Sequence, residues 1–250
     1  MRWQPTGLLR LDAKQATRDP MLGLALCAPV LLLLLLRFGL PAAGQLLEAE
    51  LGFLLTDHEP LLLAFFLQLV PLMLGMLTGF VMLEERDERL IGCYAVTPLG
   101  KRGYLAYRLL LPFILSLLFT VFLLLAGGLR TPPAAESSAA VMLYALQTPL
   151  FALVLAAWAD NKVEGLALAK AAGITVLTPA AAAFIPWPWQ LTAGVLPFYW
   201  PARLIMGAAG NEGAGGWMHS PLLAALMGLV ITGIWFVAVY RVYERKVESR

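Results

Sequence analysis

The chain has 250 residues, 60% of them apolar and 14% charged, with a net charge of +2. A soluble domain carries about 25% charged residues to cover its surface, so this composition excludes an ordinary soluble fold and points to a membrane protein. The basic residues are dispersed, without interleaved aromatic residues, which excludes a nucleic-acid partner.

Residues 3–19 precede the first long apolar run. Trp3, Leu8, Leu9 and Leu11 lie among Arg10, Asp12, Lys14 and Arg18, a pattern that predicts a short amphipathic helix on the membrane surface over residues 1–20. The polar lead and the length of the run that follows argue against a signal peptide.

Six apolar runs follow, at 21–40, 61–83, 104–128, 138–158, 166–187 and 221–240. A helix needs about 20 such residues to cross about 30 Å of hydrocarbon. The expected fold is an all-α polytopic membrane protein, one transmembrane domain of six helices with no soluble domain. Pro29, Pro71, Pro112, Pro149 and Pro179 fall within the runs, and membrane helices tolerate them where neighbours satisfy the freed carbonyls. Between the fifth and sixth runs, prolines bar a continuous helix, so one or two short re-entrant or interfacial helices are expected. Trp187, Trp189, Tyr199, Trp200 and Trp217 there read as interfacial anchors, and Gly207 to Gly216 as a flexible loop.

Fifteen of the 18 basic residues fall on one side of this arrangement, in the N-terminal lead, the connection between spans two and three, the connection between spans four and five, and the C-terminal tail. The positive-inside rule therefore places both termini in the cytoplasm, the expected location being the inner membrane of a prokaryote. Cys27 lies in the first span and Cys93 in a cytoplasmic connection, so no disulfide is expected between them.

The spans hold no evident catalytic chemistry. There are five serines, none in a Gly-x-Ser-x-Gly elbow, and His58 and His219 belong to no ligand cluster, so neither a catalytic residue nor a metal site is expected. Asp57-His58-Glu59 reads as a solvated outer loop. No carboxylate lies mid-span, where an ion-coupled carrier would place one. The uncharged polar residues there include Gln68, Thr78, Gln147 and Thr148, candidates to line a passage for a small amphiphilic substrate. Hydrogen bonding between helices is the alternative role for each. No Gly-x-x-x-x-Gly-Lys-[Ser/Thr] phosphate loop occurs, so the chain is expected to carry no cofactor and to draw energy from elsewhere.

The connection between spans two and three is the best entry point for that energy. Six consecutive charges, Glu84 to Arg89, precede Leu90, Ile91 and Tyr94, and Pro98 follows. As a helix over 84–97, Leu83, Leu90, Ile91 and Tyr94 share one face while Glu84, Glu85, Asp87, Glu88 and Arg89 occupy much of the rest. Topology requires the basic residues but not the acids, and a mixed-charge amphipathic helix is suited to docking in a groove of a soluble partner.

These residues carry a resemblance. Glu85-Arg86-Asp87, Leu90-Ile91, Thr97-Pro98-Leu99 and Lys101-Arg102 are similar to the second connection in membrane subunits of ABC-2 type transporters, with departures at Arg89 and Gly92. The resemblance extends to the six-span plan. It implies a permease subunit of an ATP-driven exporter, paired with a second permease subunit, identical or related, and with a separate soluble ABC ATP-binding subunit that holds ATP and Mg. It further implies that Glu84, Glu85, Arg86, Glu88, Leu90, Ile91, Tyr94, Thr97 and Pro98 couple to that ATPase, Glu85 and Arg86 by polar contact and Leu90, Ile91 and Tyr94 by apolar contact. The stretch from Ala159 to Gly173 resembles permeases of a narrower subgroup, the fluoroquinolone exporters. Asp160, Asn161, Lys162 and Glu164 within it also read simply as a turn capping span five. The rival readings are a non-transporting binding, immunity or assembly protein that uses the same helix to recruit a partner, and an intramembrane enzyme.

Overall fold

A computed structural model describes residues 20–88, 100–186, 188–207 and 220–248. It is all-helical, and no strand occurs among the described residues. The helices are α1 (Pro20–Leu34), α2 (Leu40–Leu51), α3 (Glu59–Asp87), α4 (Gly100–Ala126), α5 (Ala134–Trp158), α6 (Lys162–Ala172), α7 (Thr178–Phe184), α8 (Gln190–Ala193), α9 (Tyr199–Met206) and α10 (Pro221–Glu248). A π-helical stretch, Leu35–Gly39, joins α1 to α2, and a 3₁₀ stretch, Gly173–Leu177, joins α6 to α7. The expected surface helix of residues 3–19 lies outside the described residues.

Among the described residues, six stretches are long and apolar enough to cross a membrane: Cys27–Leu51, Leu55–Asp87, Gly103–Ala126, Ala134–Trp158, Lys162–Phe184 and Pro221–Lys246. α3, α4, α5 and α10 run unbroken, through Pro71, Pro112 and Pro149 in the first three. The fifth stretch is interrupted instead. Gly173 leaves α6 for the 3₁₀ stretch, and Pro179 sits in the first turn of α7, where its missing N–H has no helical partner to lose.

α5 is the central post, packed against α3, α4, α6, α9 and α10. Its contact with α3 is close because Gly75 and Gly79, one helical turn apart, offer no side chains. A Cβ on Gly75 would lie 2.8 Å from Phe151 Cβ, and one on Gly79 would lie 2.7 Å from Leu155 Cβ. Small residues four apart let two membrane helices approach until their backbones are in van der Waals contact.

The segment before the last span enters the bundle. All eight residues of α9 are buried, and α9 packs on α3, α5, α7 and α10. Tyr199 and Trp200 therefore lie in the core, at 0% and 4% exposure, rather than at the lipid–water boundary expected of them. Trp200 Nε1 finds the Gly194 carbonyl at 2.8 Å, so its polar edge needs no water. Trp189 is exposed, while Trp187 and Trp217 lie outside the described residues.

The helices leave two ends. The basic end gathers the ends of α3 and α10, the start of α4 and the turn between α5 and α6. The opposite end gathers the connection from α2 to α3 and the turn after α4.

Candidate functional site

The basic end contains the elements on either side of residues 89–99. α3 does not stop where the apolar run stops: it continues through Asp87, and the Glu88 N–H closes the last turn on the Glu84 carbonyl at 2.9 Å. Glu84 to Asp87 are thus the final turn of the second span's helix. Since successive residues on a helix are rotated by about 100°, consecutive charges there point to different surroundings.

Glu85 points inward and is 5% exposed. Its Oε2 accepts from Tyr104 Oη at 2.5 Å and from Arg108 Nε at 2.8 Å, and its Oε1 accepts from Arg108 Nη2. Tyr104 and Arg108 are four apart on α4 and so share a face. The result is a two-pronged guanidinium–carboxylate pair, reinforced by a phenol, that ties the end of α3 to the start of α4. A bidentate Arg–carboxylate pair fixes relative orientation as well as distance. The Tyr243 side chain of α10 is buried in the same apolar cluster as Tyr104, with Met82 and Ala156.

Arg86 points to α5. Its Nη1 donates to the Ala156 carbonyl at 3.0 Å and its Nη2 to the Ala159 carbonyl at 2.7 Å. Carbonyls in the last turn of a helix lack intrahelical donors and form the negative end of its dipole, so a guanidinium is well placed there. Lys246 of α10 reaches the same Ala159 carbonyl at 2.9 Å and the Asp160 carboxylate at 2.6 Å. Lys162 of α6 pairs with Glu84 at 2.9 Å. The expected cap of α6 is present: Asn161 Oδ1 accepts from the Glu164 N–H at 2.9 Å, and Glu164 Oε2 accepts from the Asp160 N–H at 2.8 Å. Asp160 and Lys162 thus do more than turn the chain, because they also bind α10 and α3.

The nine sequence-predicted coupling residues separate accordingly. Glu85 and Arg86, expected to meet a soluble partner, turn inward instead, Glu85 accepting from α4 through both oxygens and Arg86 donating to the end of α5 through Nη1 and Nη2, because α3 carries them into the bundle before it ends. Glu84 is partly exposed and paired with Lys162, and Glu88 is exposed beside Asp87. Leu90, Ile91, Tyr94, Thr97 and Pro98 lie outside the described residues. Sequence reading missed Tyr104, Arg108, Tyr243 and Lys246. Arg108 carried a legible signal, since a charge more than a turn inside an apolar run requires a partner.

The four candidate passage residues do not form one group. Gln68 is 1% exposed; its amide donates to the Thr175 carbonyl and its oxygen accepts from Thr178 Oγ1 at 3.0 Å. It thereby stitches α3 to the broken fifth span. Thr78 donates to the Leu74 carbonyl of its own helix at 2.8 Å. Gln147 is fully buried and donates to the Pro197 carbonyl at 2.9 Å, while Gln147 Oε1 and Thr148 Oγ1 have no hydrogen-bond partner among the described residues. Among the described residues no group of three or more potential metal-ligating side chains forms a candidate metal site.

Comparison with known proteins bears on this arrangement. The family described as "Fluoroquinolones export permease protein Rv2686c-like" matches residues 12–240. Two curated relatives from Mycobacterium tuberculosis are each 29% identical over 230 residues, covering 91% of this chain and 90% of the relative. They are "Fluoroquinolones export permease protein MT2760" of strain CDC 1551 / Oshkosh and "Fluoroquinolones export permease protein Rv2686c" of strain H37Rv. No solved structure matches the chain. With six membrane-crossing stretches and a family match over almost its whole length, the chain is a multi-pass membrane permease for export and belongs to the Rv2686c-like family.

Proposed function

We propose that the chain is the membrane subunit of an ATP-driven exporter of the ABC-2 type, energised by a separate ABC ATP-binding subunit docked against residues 84–98. The basic end then faces the cytoplasm, both termini lie on that side of the inner membrane, and the substrate passes between two permease subunits. The observation that carries this reading is the clamp of Glu85 by Arg108 and Tyr104. It joins the helices on either side of residues 89–99, so a force applied to that segment reaches α3 and α4 together. Arg86 and Lys246, converging on the Ala159 carbonyl, extend the connection to α5 and α10.

Glu85 and Arg86 are positioning residues in this account. Glu88, Leu90, Ile91 and Tyr94 meet the ATPase, and Thr97 and Pro98 end the docking helix. The names of the relatives support a drug-like amphiphile of the fluoroquinolone class as substrate. Gln147 and Thr148 are the passage residues best suited to it, since each retains a buried polar atom without a hydrogen-bond partner among the described residues.

The first test is extraction of the tagged chain in a mild detergent from its native membrane. A Walker-motif ATPase should co-purify in equal molar amount, with hydrolysis stimulated by a fluoroquinolone. Recovery of the permease with no ATPase would favour the recruiting-protein alternative.

A further inference from the structure

At the end away from the clamp, a pocket of about 270 Å³ opens between α2, the 54–56 connection, the first residue of α3 and the Gly128–Leu129 turn. Its form follows from the chain reversal after α2. Gly52 adopts φ 65°, its N–H bonds the Glu48 carbonyl at 3.0 Å, and the chain turns back so that Glu59 comes to line the same space as Glu48. Leu40, Leu55 and Leu129 supply much of the apolar wall. Neither carboxylate belongs to an ion pair among the described residues. One oxygen of Glu59 accepts the Arg130 backbone N–H at 3.2 Å, which orients that carboxylate and leaves its second oxygen for a ligand.

We propose that this pocket binds amphiphiles carrying a protonated amine, the ammonium between Glu48 and Glu59 and the hydrocarbon body against the leucines. An ammonium brings a full opposite charge and three donors to the two carboxylates, and its apolar body leaves water, whereas an uncharged alcohol gains the same burial with a single donor and no ion pair. The inference depends on neither ATP coupling nor the direction of transport.

The probes are 3-phenylpropylammonium and its uncharged analogue 3-phenylpropanol, titrated against the purified full chain in maltoside micelles and read by ligand-observed NMR. The ammonium should bind saturably and about tenfold more tightly than the alcohol. Glu48→Gln combined with Glu59→Gln should bring the ammonium down to the affinity of the alcohol, and Leu55→Trp, which fills the cavity, should weaken both. Should the double variant lose its elution profile, Glu48→Gln alone, on an exposed helix face, gives the same readout at reduced size. Displacement of the probe by short-chain phosphatidylethanolamine would identify a lipid amine headgroup as the occupant, and failure to displace would identify a free amphiphile. Equal affinity for the two probes, or ammonium binding unchanged in Glu48→Gln, would overturn the proposal.

Discussion

At the basic end, the buried carboxylate of Glu85 meets the full opposite charge of Arg108; in the bundle's other half, the buried charge of Arg203 meets, among the described residues, only neutral dipoles. Arg203 Nη1 donates to Gln190 Oε1 at 3.0 Å, Tyr199 Oη donates to the same oxygen at 3.2 Å, and Gln190 Nε2 donates to the Ile185 carbonyl at 2.7 Å. Gln68 and Gln147 act similarly, each using its amide on a carbonyl where the helical ladder is interrupted. Amides suit helix breaks because one side chain offers both donors and an acceptor to backbone groups that have lost their partners. An ion pair joins two continuous helices end to end and holds their relative orientation. The amide-satisfied breaks thus set the shape of the bundle, and the ion pair fixes how α3 and α4 sit relative to one another.

The largest effect expected from disturbing this contrast comes at the ion pair. Arg108→Met leaves Glu85 buried and unpaired, which should cost about 3 to 5 kcal/mol. Thermal unfolding in detergent and the amount of protein in the membrane measure it. Glu85→Met on that background removes the orphan charge and should restore most of the stability. If the double variant is no better than Arg108→Met, the clamp is not an electrostatic unit. Gln190→Leu should have a smaller effect, about 1 to 3 kcal/mol, because Arg203 and Tyr199 lose one neutral acceptor rather than a counter-charge. An effect larger than that of Arg108→Met would reverse the ranking of the two regions. Gly79→Ala probes a contact without polar atoms; a Cβ 2.7 Å from Leu155 forces α3 and α5 apart, at about 1 to 2 kcal/mol.

Much of this architecture was legible in the sequence because the membrane sets such a strict length rule. The six apolar runs, the short helices before the last span and the Asn161–Glu164 cap all follow from residue type and spacing. The inward turn of Glu85 did not. Six consecutive charges look like a solvated surface, and only continuation of the apolar helix by one more turn reveals that one of the six is buried. Tyr199 and Trp200 misled for a related reason, since aromatic residues near a span end occur both at the lipid boundary and in a core. The close packing of α3 on α5 was encoded in Gly75 and Gly79, but that signal becomes specific only when the facing helix is known.

The central claim is that residues 84–98 receive the work of an ATPase while the clamp behind them passes it to the bundle. The most direct measurement is fluoroquinolone-stimulated ATP hydrolysis by the permease and its ATPase in proteoliposomes, comparing the unaltered chain with the Leu90→Asp, Ile91→Asp double variant. The account predicts that stimulation falls by about tenfold or more, as expected when apolar anchors of an interface are replaced by charges, with permease content and the hydrolysis of the isolated ATPase unchanged. Full stimulation and full transport in that variant would contradict it.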